Sequence, residues 1–172
     1  MRDDDHFATL DLPRRVDLAR DVIERRYLER SREVHPDRFA AAPLSEQRAA
    51  MEAASRVNAA YRALRDPVRR AEHLCKLGGV DLDLTGPGGA PDPGQAFLIE
   101  MVELREDLEA ASARGPAAVD ALRERIEARA RAAQDAAFAA IDRGSIAEAA
   151  RALVNLRYLR RFVAEIDGDP LD

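Results

Sequence analysis

Val16, Ile23, Tyr27 and Val34 recur at helical spacing with Arg25, Glu29, Arg32 and Glu33 opposite them, so residues 17–34 read as one amphipathic helix. Asp17 is placed to cap it, and Arg30 interrupts its apolar stripe. The helix must end at His35-Pro36-Asp37, because the residue before a proline avoids the α region. A second stripe of Met51, Ala54, Val57, Tyr61 and Leu64 predicts another helix, with Ser45 as its cap and Glu46 in its first turn. The pair makes a helical hairpin with the tripeptide in its connection. Asp66-Pro67 then opens a short third helix carrying Val68, Ala71, Leu74 and Cys75, which Gly78-Gly79 stop.

The pattern lapses over residues 79–95, which hold Gly86, Pro87, Gly88, Gly89, Pro91, Pro93 and Gly94, the composition of a linker between domains. Three further helices are predicted near 95–113, 116–142 and 145–166, the last opened by Ser145 and Glu148 at capping-box spacing. Short turns between them imply an up-down-up three-helix bundle. On the first, Phe97, Met101, Leu104 and Leu108 form the core stripe. Leu98, Ile99 and Val102 share the other half with Glu103, Arg105, Glu106 and Glu109, an apolar centre with a charged rim. On the last, Ala149, Leu153, Leu156 and Val163 face the core, while Val154, Tyr158 and Phe162 follow a separate line, placed either to meet the first domain or to extend the exposed surface.

The 172 residues include 34 alanines and only 5% aromatics, which favours helices with thin aliphatic cores. With 27 basic and 32 acidic side chains the net charge is −5, and all the basic residues but Lys76 are arginine. Mixed signs and a negative balance argue against nucleic acid as the main partner. No apolar run approaches the roughly 18 residues of a membrane span and no leader is evident, so no membrane partner and a cytoplasmic location are expected. One cysteine, Cys75, excludes an intramolecular disulfide and leaves no Cys pair for zinc or a cluster, so no metal or cofactor is expected. His35 has no accompanying nucleophile motif or phosphate loop, and only His6 and His73 as further histidines, which argues against an enzyme.

The segment YLERSREVHPDRF, residues 27–39, resembles the J-domain of DnaJ-type co-chaperones. Residues 58–82, NAAYRALRDPVRRAEHLCKLGGVDL, and 96–109, AFLIEMVELREDLE, are similar to the segments that mark the HscB family of iron-sulfur cluster co-chaperones. The chain departs from that pattern at Arg30, His73, Cys75 and Ala110, and has Tyr158 where Phe is frequent. The expected architecture is all-α, with a J-domain helical hairpin over 1–78, a Gly/Pro-rich linker over 79–95 and a three-helix client-binding domain over 96–172.

The resemblance implies a non-catalytic adaptor that stimulates the ATPase of a DnaK/HscA-class chaperone and delivers the iron-sulfur scaffold protein IscU. Proline fixes the turn, so His35, Pro36 and Asp37 form a rigid tip for the chaperone, with Arg25, Arg26, Arg32 and Arg38 as cations for an acidic surface. The scaffold role falls by resemblance to Leu98, Ile99, Val102, Glu103, Arg105, Glu106 and Tyr158. Two other readings stay open: a J-protein with a different client, and a helical structural protein that dimerises through its exposed face.

Overall fold

A computed structural model of the chain describes residues 5–168, and in them contains seven α-helices and no strand. By its contacts the chain divides into two units, Met1–Leu77 and Gly78–Asp172.

The first unit opens with a short helix that hydrophobic periodicity did not reveal, α1 (His6–Thr9). The Asp5 carboxylate caps it by accepting from the backbone N–H groups of Phe7 and Ala8 at 3.0 and 3.2 Å, and pairs with Arg14 at 2.7 Å. Burial alone would raise the pKa of Asp5, but Arg14 and the two amides more than offset it and hold the carboxyl below its usual range. The cap seats Phe7 and Leu10, both fully buried, against the long helix α3 (Leu44–Leu64).

Helix α2 spans Arg20–Glu33, three residues shorter at its start than expected. Asp17 does not cap it: that carboxylate is held by Arg15 at 2.6 Å, and the N-cap position is Ala19. Nor does Ser45 cap α3, which begins after Pro43. The buried line of α3 runs through Ala50, Val57, Ala60 and Leu64, while Met51, expected inside, is 62% exposed. Helix α4 (Pro67–Leu77) begins as expected, with Asp66 Oδ1 accepting from Val68 and Arg69 N–H at 2.9 Å each.

Arg70 on α4 is buried to 3% exposure, and its guanidinium donates to the carbonyls of Leu64, Val16 and Leu18. Burial pushes its pKa down, yet an arginine stays charged at neutral pH. It holds an irregular segment between α1 and α2 that has no helical bonds of its own. Arg70→Met is therefore expected to leave the carbonyls of Leu64 and Val16 buried and unsatisfied and that of Leu18 partly so, and to lower the stability of the first unit by about 3 kcal/mol. A urea titration of the full chain followed by circular dichroism measures this, and an unshifted transition would refute it.

Cys75 sits on the same helix at 0% exposure, and burial, helped by the charge of Glu72, pushes its thiol up to about 11. At pH 8 only about one molecule in a thousand would then carry the reactive thiolate. Iodoacetamide should accordingly label the native chain at least a hundredfold more slowly than the urea-unfolded chain, as mass spectrometry over time would show.

The second unit begins with the segment expected to be a linker. Residues 78–94 instead form bonded turns: Asp81 N–H donates to Gly88 O at 2.8 Å and Ala90 N–H to Leu84 O at 2.9 Å. Gly89 makes this closure possible, since a Cβ there would lie 2.4 Å from the Leu84 carbonyl oxygen. Leu82 is buried, and Arg157 donates to Leu82 O and to Asp83, both at 2.9 Å. The glycines and prolines thus serve tight turns rather than looseness.

The bundle follows in three helices: α5 (Gln95–Arg114), α6 (Pro116–Asp142) and α7 (Ile146–Asp167). Ala137 and Ala140 of α6 and Ala149 and Ala150 of α7 are buried, so near their connection these two helices bury small side chains, while Leu122, Ile126, Leu153, Leu156 and Leu159 fill the core farther along. The expected capping box at Ser145 is not made, because Glu148 turns to Arg143 at 3.1 Å. Val154 and Phe162 are core residues at 5% and 2% exposure, so of the separate line read on α7 only Tyr158 extends the exposed surface.

Candidate functional site

The connection between α2 and α3 carries His35, Pro36 and Asp37. His35 has the extended backbone that a following proline demands, φ −62° and ψ 128°, and is the N-cap of a 3₁₀ turn over Pro36–Phe39. Its Nδ1 accepts from the backbone N–H of Asp37 at 3.3 Å and lies 3.5 Å from the Asp37 carboxylate. An accepting Nδ1 places the proton of the neutral ring on Nε2. The tip therefore offers one N–H donor and one carboxylate acceptor, and the two side chains are 53% and 89% exposed.

Both flanks of the tip are tied down. Arg38 donates to Arg32 O at 3.2 Å, returning the chain to the end of α2. Gln47 donates to Ala42 O at 2.9 Å and Ala40 O at 3.3 Å, fixing the approach to α3. Farther back, Tyr27 stacks on Tyr61 at 4.2 Å between ring centres and donates to Asn58 at 3.0 Å, which joins α2 to α3. The local capping role of His35 and the exposure of both side chains coexist: the bond to Asp37 shapes the turn that displays them.

The four arginines do not behave alike. Arg26 is held by Asp11 and by Glu29, the latter at 3.2 Å, and Arg38 is turned onto the backbone. Arg25 and Arg32 lie seven residues apart on one exposed face of α2 and have no carboxylate partner among the described residues. Between them Leu28 is 46% exposed. The stripe pattern did not single out Leu28; its break from the line of Ile23 and Tyr27, three residues after one arginine and four before another, was the available signal.

In the second unit Leu98, Ile99 and Val102 are exposed at 42, 53 and 57%, while Phe97 and Leu104 are buried. Phe97 meets Tyr158 edge-on at 6.0 Å, which brings the exposed start of α5 beside the 42% exposed Tyr158 of α7. Glu103, Glu106 and Glu109 are exposed along the same helix. Arg105 is partly engaged, with its guanidinium 5.7 Å from the centre of the Phe162 ring and 3.4 Å from Glu165. Glu100 and Asp107 are bound to Arg129 and Arg125 of α6, so they brace the bundle. Among the described residues no group of three or more His, Cys, Asp or Glu is placed to hold a metal ion, and no helix is long and apolar enough to cross a membrane.

A helical hairpin with His-Pro-Asp exposed at its connection defines a J-domain protein, and residues 5–73 match the DnaJ domain family. Residues 94–167 match the family described as the HSCB C-terminal oligomerisation domain. The chain belongs to the HscB family of co-chaperones. It is 40% identical over 169 residues to the co-chaperone protein HscB homolog of Bordetella pertussis, covering 98% of this chain and 97% of that one. The homolog from Burkholderia multivorans is 38% identical, with 95% and 92% covered. Among solved structures, the chaperone HscB from Vibrio cholerae superposes with a TM-score of 0.74 at 27% identity, covering 95% of each chain. Human co-chaperone protein HscB superposes with a TM-score of 0.76 at 26% identity, covering 95% of this chain and 80% of that one.

Proposed function

We propose that this co-chaperone links two partners in iron-sulfur cluster assembly. The first unit stimulates ATP hydrolysis by a DnaK/HscA-class chaperone, and the second presents the scaffold protein IscU to it. The observation that carries the reading is the exposed, preorganised donor and acceptor pair of His35 and Asp37 in a chain whose second unit displays an unpaired apolar face. Arg25 and Arg32 supply positive charge along the helix that leads to the tip, which accelerates encounter with an acidic chaperone surface. Catalytic groups reside in the chaperone. The tip acts by binding one of its conformations more tightly than the other.

The test is single-turnover ATPase of the cognate chaperone with the full chain, with scaffold, and with both. The combination should exceed either alone, because joining the two binding units in one chain raises the effective concentration of client beside chaperone. Stimulation that is indifferent to the scaffold would leave a J-protein with another client. Self-association is the second reading, favoured by the apolar face of α5 and by the oligomerisation named for the matching family. Its acidic rim opposes it, since two copies of the face would bring Glu103, Glu106 and Glu109 together. Sedimentation should show a concentration-independent monomer. A dimer lost on Leu98→Ala with Val102→Ala would assign the face to a second copy instead.

A further inference from the structure

The turns of residues 78–94 and one stripe of α7 enclose a pocket of about 260 Å³ that adjoins the proposed scaffold face. One wall is Leu82, Pro91 and Pro93, and the other is Val154, Tyr158 and Arg161. Helical spacing of i, i+4 and i+7 puts the α7 residues in one row. Arg157, also in that row, is consumed by Leu82 O and Asp83, and so fixes the loop over the helix. Arg161 has no carboxylate partner among the described residues.

We propose that this pocket is a specificity subsite for the scaffold protein, taking an aliphatic side chain of the client between the prolines and Val154 while Arg161 pairs with a neighbouring acidic side chain. The inference rests on the scaffold reading above and deepens it. Three features select this occupant. The volume lies at the small end of the roughly 300–1,000 Å³ of ligand sites, and admits an aliphatic side chain. The loop wall of Leu82, Pro91 and Pro93 is apolar and preformed, because the prolines restrict their own backbone and the loop is bonded in place, so little ordering cost accompanies insertion on that side. Tyr158 borders the pocket and, through Phe97, the start of the α5 face, so one client surface can span both.

Charge sharpens the match. The α5 rim carries Glu103 and Glu106, with Arg105 drawn to Glu165, whereas the pocket carries Arg161, so the two parts of the combined surface differ in sign. A client bearing the complementary dipole docks in one direction only.

The test is calorimetric titration of the full chain with purified iron-sulfur scaffold protein. Arg161→Glu is expected to weaken binding about tenfold or more, and Arg161→Gln about threefold, with a shallower dependence on salt in both. Ala90→Leu, which fills the pocket from the loop side and leaves the charges alone, should also weaken binding about tenfold. Thermal melts of all three should match the wild type. Wild-type affinity in Arg161→Glu and Ala90→Leu, with binding lost in Leu98→Ala/Val102→Ala, would overturn the subsite and leave the scaffold reading standing. Loss in Arg161→Glu but none in Ala90→Leu would also overturn it, leaving only a rim charge. No binding of scaffold by the wild type would remove both the reading and the subsite.

Discussion

His35→Gln is expected to abolish stimulation of the chaperone ATPase while scaffold binding stays within twofold of wild type. The glutamine amide can donate a hydrogen bond, but it lacks the ring that accepts from Asp37 N–H and stiffens the turn. A partner must then immobilise both residues, and the cost falls on the conformation the tip has to favour. A hundredfold stimulation corresponds to about 2.7 kcal/mol of differential binding, so losing the alignment of one donor and the preorganisation of its neighbour is enough to erase it. Single-turnover ATPase and scaffold calorimetry on the same preparation separate the two functions. Wild-type stimulation by His35→Gln would end the assignment of the tip.

Leu98→Ala combined with Val102→Ala is expected to weaken scaffold binding by about a hundredfold without altering helicity. At an interface core each truncation removes roughly 1–1.5 kcal/mol of apolar burial, and the two together reach the factor stated. Both side chains are about half exposed in the free chain, so little packing is lost with them. Circular dichroism and a thermal melt check that point. A melt lowered by several degrees would show that the face packs against something within this protein.

The elements most legible in the sequence were those whose signals agree. Asp66-Pro67 combines a cap with a preset φ, and α4 starts there. His35-Pro36 cannot continue a helix, and the turn follows. Legibility failed where alanine dilutes the contrast between faces. On α3 the small Ala50 and Ala60 turn inward and the larger Met51 outward, the reverse of what side-chain size implies. It failed again where a carboxylate has two suitors: Asp17 prefers Arg15 to the end of α2, and Glu148 prefers Arg143 to Ser145. A four-residue helix such as α1 is too short to show a period, and only its cap at Asp5 could have marked it. Residues 79–95 read as a linker because glycine and proline signal tight turns as strongly as they signal freedom. Which of these applied depended on Arg157, more than sixty positions away.

For the candidate site, the tripeptide and the half of α5 that escapes the core were visible as positions. Their surroundings were not. Nothing local reveals that Arg26 is held by Asp11, or that Phe162 lies beneath Arg105 rather than beside Tyr158 at the surface. Those facts depend on contacts between helices that periodicity does not encode.

The inward-facing alanines of α6 and α7, set against the outward-facing Leu98, Ile99 and Val102 of α5, mean that this bundle wears some of its bulkiest aliphatic side chains on the outside. Such a helix is sticky on two sides, and the free chain carries a standing risk of coagulation. Glu103, Glu106 and Glu109 act as gatekeepers on that stripe: like charges keep identical chains apart in a crowded solution, yet leave the aliphatic strip open to a partner of a different charge pattern.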